Sequence, residues 1–424
     1  IPQIAVSQKV YEQPGFPASL SLSAYDSRRN SNYTAFMTLI HFVDVRVLDC
    51  TAGAPFAGEV LVNDNRITRI VRSPERIDAA SAQRIDGRGG TLMPGLIEPH
   101  AHLSFTDMSQ STQLGEIAPE DHALMTLRNA RVMLDHGFTA CFGAASAKPR
   151  LDIAVRNVID RGDFPGPRML AASPEMTVTG GLGDPSLAHL ERHNFGYVCD
   201  GADEFRRAAR LFVREGVDTL KINISGDAGV AWAQAHETVM TDAEVEAVCE
   251  VARSRSKRVA AHTRSAESVK MALRHGVDIL YHATLIDDEA CAQMEAQRER
   301  VFVAPTLGNI YTVLHEATPW GITPSMARNR GIDRELDRGI ANMKALQRCG
   351  VRVLPGGDYG FAWNPIGANA RDIEHFVNLL GFTPMQAIIA ATKLGGEIMM
   401  LGNELGQIRE GYLADLLLVD GDPL

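Results

Sequence analysis

The sequence lacks the features that mark membrane proteins and nucleic-acid-binding proteins. No apolar run approaches the ~18 residues that a membrane-spanning helix needs, so we expect no membrane partner. Basic residues are not in excess either, because 42 Lys and Arg stand against 52 Asp and Glu, for a net charge of -10. Nucleic acids require a basic surface, so we also expect no nucleic-acid partner.

Cysteine is scarce, with 6 residues in a chain of 424, and none of them forms a C-x-x-C pair. The six are scattered over the whole length instead of clustering as they do in a disulfide framework. Such spacing is typical of buried thiols in a reducing compartment. We therefore predict a cytoplasmic protein.

The first 36 residues differ from the rest of the chain. They are rich in Ser, Pro, Asn and Tyr and show little periodicity, whereas patterned sequence begins at Met37. We predict that residues 1–36 are an N-terminal extension, either non-native or disordered, because chain termini are commonly disordered. The alternative is an arm that docks on a neighbouring molecule.

The remaining sequence divides by the period of its apolar residues. Residues 37–95 alternate in the β pattern, and GQIREGYLADLLLVDGD near the C-terminus returns to it. Between them, eight short apolar strands alternate with eight segments of helical period, which is the arrangement of a parallel barrel with helices outside. We predict an α/β fold: a (β/α)8 TIM barrel over residues 96–401 and a small β-sandwich domain built from residues 37–95 and 402–424.

Several predicted strands end in residues that can bind a metal ion, and catalytic residues of such barrels lie at the carboxyl ends of the strands. The first strand, GLIEPHAHL, carries His100 and His102. These two point to the same face, about 7 Å apart, because alternate residues of a strand share a face. Four more candidates occupy the ends of later strands: Lys221, His262, His282 and Asp358.

Neutral imidazole and carboxylate together are a common ligand set for zinc, cobalt, manganese and iron. His100, His102 and Asp358 make one three-ligand site, and His262 with His282 makes half of a second. A single histidine at a strand end is usually a packing residue, but this many on one barrel favour a metal site. We predict one or two divalent ions per chain, with zinc favoured.

Lys221 is the unusual member of the set, because a buried lysine cannot keep its charge without a large cost in free energy. It can stay neutral, or it can react with CO2 to form a carbamate. A carbamate is an anion with two oxygens and could bridge two ions.

These motifs resemble those of the metal-dependent amidohydrolase superfamily over residues 38–424. The matching pieces are PGLIEPHAHL, TLKINISG, AAHT, LYHAT, PGGDYG and ELGQIREGYLADLLLVDGDPL. The sequence is similar to the branch that contains imidazolonepropionase-like enzymes, prolidase-type dipeptidases, ochratoxinase, and the molinate and phenylurea hydrolases. GGDYGFAW and MTVTGGLGD are most similar to the last pair. Such proteins continue with a further strand beyond GDPL, which leaves open a truncated sandwich domain.

The resemblance implies a binuclear centre made of the six candidates, with carbamylated Lys221 between the ions. It implies hydrolysis of a small molecule by attack of a metal-bound hydroxide, with Asp358 as general base and then general acid. The leading substrate class is a small amide, carbamate, thiocarbamate or urea. The alternative is prolidase-, carboxypeptidase- or ochratoxinase-like hydrolysis of N-acyl amino acids or Xaa-Pro dipeptides. The resemblance also implies a homo-oligomer.

Two further alternatives are weaker. Deaminases of the superfamily carry a glutamate soon after the strand-5 histidine, whereas the nearest one here is Glu267 in the following helix. A non-catalytic scaffold would have lost metal ligands, and all six candidates are present.

Candidate substrate-binding residues lie near two of the metal candidates. Tyr359, Phe361 and Trp363 follow Asp358 and would line an apolar pocket, although they could equally pack the loop down. Arg264 could bind a substrate carboxylate with two hydrogen bonds, although a structural salt bridge is the stronger expectation.

Overall fold

The computed structural model describes residues 4–6 and 39–424 of the chain. Nearly all of the predicted extension, residues 1–36, therefore lies outside the described residues. The described part begins with a short strand, Ile4–Val6, which pairs in parallel with the strand Leu416–Val419. Whether the remainder is a non-native extension stays a prediction.

After the N-terminal β-region, the described residues alternate between strands and helices, with consecutive helices or strands at several places, such as the three α-helices within residues 307–348 and the three strands within residues 168–198. The strands β1 to β17 are Ile4–Val6, Leu39–Val47, Phe56–Asn63, Arg66–Arg72, Gln83–Asp86, Thr91–Pro94, Leu96–Ala101, Phe138–Gly143, Arg168–Leu170, Ala172–Thr177, Gly196–Val198, Thr219–Asn223, Arg258–Ser265, Ile279–Leu285, Phe302–Ala304, Arg352–Val353 and Leu416–Val419. The helices α1 to α13 are Gln113–Glu116, Pro119–Asp135, Leu151–Asp160, Gly201–Glu215, Asp242–Ser254, Ala266–Arg274, Asp288–Ala296, Leu307–His315, Pro324–Asn329, Ile332–Arg348, Arg371–Asn378, Pro384–Ala391 and Lys393–Ile398. Within the part of the chain that the structure describes, no helix combines the length and apolarity needed to cross a bilayer.

The eight predicted barrel strands are present in the predicted order, and all are parallel to their neighbours. The third strand is interrupted at Ala171: β9 pairs with β8, whereas β10 pairs with β12. The two pieces of the third strand, β9 and β10, therefore connect the second barrel strand, β8, to the fourth, β12. The chain just after the eighth strand, β16, lies beside the first strand, β7. This is seen at Gly356, where a β-carbon would be 3.0 Å from Cβ of His100. The predicted (β/α)8 barrel is confirmed.

Some helices begin at a residue whose side chain accepts from a free N–H group of the first turn: Ser265, Asp287, Thr323 and Thr383. The pattern Thr241-Asp242-Ala243-Glu244 is typical of a helix start, and in the structure the backbone N–H of Thr241 donates to Oε2 of Glu244 at 2.8 Å. The apolar period of residues 325–349 predicts one helix, and this prediction is wrong, because the structure has two helices there. Gly331, with φ of +79°, separates α9 from α10, since a left-handed residue cannot continue a right-handed helix.

The C-terminal strand β17 returns to the N-terminal β-region as predicted, and Leu417 pairs with Met93 of β6 in antiparallel register. β2 bends at Asp44, whose φ is +51°. Its first half pairs with β5 and its last two residues pair with β6, so both neighbours join one seven-stranded sheet that packs against an apolar core. The division into units at 37–95, 96–401 and 402–424 stays a prediction.

Helix α13 supports the strand that carries His100. A β-carbon on Gly395 would lie 2.5 Å from Cβ of Ile97 in β7. We expect Gly395→Ala to lower the free energy of unfolding by roughly 1–3 kcal/mol, because the helix must move away from the strand. Urea denaturation followed by circular dichroism measures this. Gly53→Ala is the control, since its β-carbon would meet nothing closer than 3.6 Å. Equal midpoints for the two variants would contradict the prediction.

Candidate metal centre

The carboxyl ends of the barrel strands bring all six predicted ligands to one buried cavity. Ligand atoms of His100, His282 and Asp358 lie within 4.8 Å of one another, close enough to hold one ion. Nε2 of His102 is 3.2 Å from Oδ1 of Asp358. The ring centres of His262 and His282 are 4.1 Å apart. The spatial grouping expected from the sequence is therefore present in the structure.

Hydrogen bonds to protein oxygens hold one ring nitrogen on each of three histidines. Nδ1 of His102 is 3.3 Å from the carbonyl oxygen of Ala145, and Nε2 of His262 is 3.0 Å from that of Gly226. Nδ1 of His282 is 2.6 Å from Oγ1 of Thr306. Because the Thr306 hydroxyl donates to the carbonyl of Pro305, it accepts from His282. In metal sites, ligand histidines are oriented in this way.

The protonation states also suit a metal ion. Burial lowers the pKa of His100 and His282 well below the ordinary value and that of His262 to about 4, so these rings are neutral at pH 7. Burial alone would raise the pKa of Asp358, but His100 and His102 hold it below its ordinary range. In addition, Nδ1 of His100 is buried without a hydrogen-bond partner. Neutral imidazoles around an ionised carboxylate are a donor set that fits a divalent ion.

Lys221 is 1% exposed, and its Nζ lies 3.4 Å from Oε1 of Glu175. Glu175 is not among the residues predicted from the sequence. The apolar segment RMLAAS predicts a third strand that ends at Ser173, whereas β10 continues to Thr177. The signal was present: Glu175 lies two residues beyond Ser173, on the same face of the strand. The carboxylate compensates the charge of the unmodified lysine.

Arg264 is enclosed by two carboxylates. Its guanidinium bonds to Oδ2 of Asp227 at 2.7 Å and also to Glu335, which accepts a further hydrogen bond from Thr284. Arg264 and Glu335 are 4% and 3% exposed. Of the two roles considered from the sequence, the structural salt bridge describes this geometry, since the donors of Arg264 face protein carboxylates.

The three aromatic candidates have different positions. Phe361 and Trp363 line the cavity, and Nε1 of Trp363 donates to Oδ1 of Asn309 at 3.0 Å. Asn309 in turn donates to Oδ2 of Asp358 at 3.3 Å, so Trp363 supports the carboxylate through one intermediate residue.

Tyr359 does not line the cavity, in contrast to the prediction. Its side chain is buried, and its hydroxyl donates to Oδ1 of Asp372 at 3.2 Å. Asp358 and Gly360 both have positive φ, so the chain turns on either side of Tyr359 and loses the alternation of an extended strand. The side chain of Tyr359 therefore packs its loop against the protein interior, which is the second role considered for it from the sequence.

The cavity has a volume of about 420 Å³, and its walls are largely apolar. The walls come from loops and helices that follow several different strands, and they include Phe105, Met108, Phe195, Val313, Trp320 and Ile322. Glu267, the residue that a deaminase interpretation would need, lies outside it: its side chain is 67% exposed and pairs with Lys270. The cavity can therefore hold a small, mainly apolar molecule against the histidines.

Comparison with known proteins gives the family. A model of the amidohydrolase family matches residues 91–424, which is more than half of the chain. The chain belongs to the amidohydrolase family. It is a hydrolase that acts on carbon–nitrogen bonds other than standard peptide bonds.

Three similar proteins illustrate the range of this amidohydrolase's relatives. Ochratoxinase of Aspergillus niger is 24% identical over 399 residues, covering 88% of this chain and 79% of that protein. The crystal structure of a Xaa-Pro dipeptidase with bound methionine is 26% identical, with a TM-score of 0.79 over 92% of this chain and 95% of that chain. Molinate hydrolase shares the fold, with 20% identity and a TM-score of 0.74 over 92% and 91% of the chains.

The hydrogen bond between Thr306 and His282 gives a test of metal binding. We expect Thr306→Val to weaken binding of zinc or cobalt roughly 10- to 100-fold, because the imidazole loses the partner that orients it. Competition with a chromophoric chelator measures the affinity. Thr126→Val is the matched control, since Thr126 is also buried and donates to a backbone carbonyl, that of His122. Equal affinities for both variants and the unchanged protein would refute the orienting role.

Proposed function

We propose that this amidohydrolase uses one or two divalent ions to cleave the C–N bond of a small amide, carbamate, thiocarbamate or urea that carries an apolar group. The observation that supports it is the position of neutral histidines and an ionised Asp358 at the floor of a mainly apolar cavity. His100, His102, His262, His282 and Asp358 would hold the ions, with Lys221 between them as a carbamate. Zinc is the metal we favour.

When bound, a divalent ion would supply a Lewis acid for the substrate carbonyl and would lower the pKa of water at this position to about 7. Asp358 faces this position and can accept a proton and then deliver it to the leaving nitrogen. Asn309 holds the second oxygen of the carboxylate, so that Oδ1 is directed toward His102. The apolar walls exclude water from the remainder of the substrate.

A second candidate is hydrolysis of N-acyl amino acids or Xaa-Pro dipeptides. The sequence similarity to ochratoxinase and to the Xaa-Pro dipeptidase, over about nine-tenths of this chain, favours it. Such substrates carry a free carboxylate and need a cation in the cavity. A homo-oligomeric state, a cytoplasmic location and the lack of a nucleic-acid or membrane partner remain predictions.

A turnover assay by mass spectrometry separates the two candidates. The metal-loaded protein is offered neutral thiocarbamates, phenylureas and anilides, and separately N-acyl amino acids and Xaa-Pro dipeptides. We expect cleavage in at least one set and a loss of roughly 10²- to 10⁴-fold in kcat for Asp358→Asn, because general acid–base catalysis is removed.

Two outcomes would count against the proposal. No cleavage in either set by a fully metal-loaded protein would argue against hydrolysis of these classes. Equal turnover by Asp358→Asn and the unchanged protein would remove Asp358 from the reaction.

Lys221→Ala tests the bridging carbamate. We expect the variant to lose at least one metal ion per chain, measured by inductively coupled plasma mass spectrometry, because the bridging anion is missing. Added acetate should restore metal content by occupying the same position. Lys344→Ala is the control, since Lys344 on α10 does not line the cavity. Full metal occupancy of Lys221→Ala without additives would exclude the bridge.

A further inference from the structure

With Lys221 unmodified, the cavity has three cationic side chains, and they differ in whether a carboxylate already pairs with them. Lys221 lies beside Glu175, and Arg264 lies between Asp227 and Glu335. The remaining one is Arg330. Among the described residues, no carboxylate forms an ion pair with it and no acceptor bonds to its guanidinium.

Arg330 also differs in position. Lys221 and Arg264 are buried at the floor, whereas Arg330 is an exposed residue at the end of α9, directly before Gly331 and the start of α10. It therefore lines the mouth of the cavity. Trp320 and Ile322, from the same connection between α8 and α10, line the wall beside it.

The four carboxylates of the cavity are all engaged. Asp358 faces the histidines, Glu175 faces Lys221, and Asp227 and Glu335 enclose Arg264. An anionic group at the mouth would therefore meet a free guanidinium without displacing an existing ion pair. Guanidinium and carboxylate match in geometry, because two parallel N–H groups can donate to two oxygens.

We propose that Arg330 binds the carboxylate of the substrate at the mouth of the cavity. The scissile C–N bond then lies at the floor, against Asp358, and the apolar part of the substrate lies between them against Trp320 and Ile322. This role of Arg330 rests on the proposed function. It narrows the substrate to the second candidate class, the N-acyl amino acids and Xaa-Pro dipeptides, which carry a free carboxylate. Arg330 is thus a specificity-determining residue, and Arg264 is not the carboxylate site.

The test compares an N-acyl amino acid with its carboxamide, which has the same shape without the charge. For Arg330→Gln we expect KM for the carboxylate to rise roughly tenfold with little change in kcat, and KM for the carboxamide to stay constant. Arg330→Lys should recover part of the loss, since it keeps the charge but not the paired donors. Arg328→Gln is the matched control: Arg328 is exposed on the same helix and does not line the cavity.

A binding measurement separates this proposal from the proposed function. The Kd of a free N-acyl amino acid for metal-loaded Asp358→Asn is measured by calorimetry, with and without Arg330→Gln. A roughly tenfold weaker Kd for the double variant supports the carboxylate site even if turnover is absent. Equal Kd values, or a KM change that is the same for carboxylate and carboxamide, would overturn it.

Discussion

The removal of histidines from water is the constraint on which the rest of the site depends. His100, His262 and His282 lie at the carboxyl ends of barrel strands, where burial disfavours their protonated forms. Asp358 in the same cavity keeps its charge. Buried neutral imidazoles around an ionised carboxylate are a donor set that a divalent cation can complete, so the cavity floor is suited to metal binding before any substrate arrives.

Backbone geometry holds this arrangement in place. His282, Thr306 and Asp358 have φ values of +73°, +60° and +58°, a region that side chains other than glycine rarely adopt. Such residues cost of order 1–3 kcal/mol each and persist where the surrounding structure requires them. All three lie at ends of neighbouring strands, and Thr306 accepts from the ring of His282. The large apolar core beneath the strands offsets this cost.

The sequence was sufficient for the parts of the molecule that depend on local period. Alternation along GLIEPHAHL placed His100 and His102 on one face, and the change from period 2 to helical period located the eight barrel units. Local pattern could not reveal pairings between distant residues. Arg264 is separated from Asp227 by 37 positions and from Glu335 by 71, so only the folded barrel shows that its donors are engaged. Local pattern also disfavours helix α8, because LGNIYTVLH has a weak helix former, Gly308, in its first turn. The folded structure requires glycine there, since a β-carbon would lie 2.3 Å from Oδ1 of Asp372.

Substrate selection and chemistry are linked on one side of the barrel. The floor of the cavity comes mainly from the ends of β7, β12, β13 and β14, whereas part of the wall comes from α8 and the segments that follow β15 and β16. Barrel enzymes commonly change substrate by changing such loops while the strand ends are retained. Here the separation is incomplete, because Asn309 of α8 bonds to both Trp363 and Asp358. A substitution that reshapes this wall therefore reaches the carboxylate that moves the proton, and its effect extends from substrate binding to the chemical step.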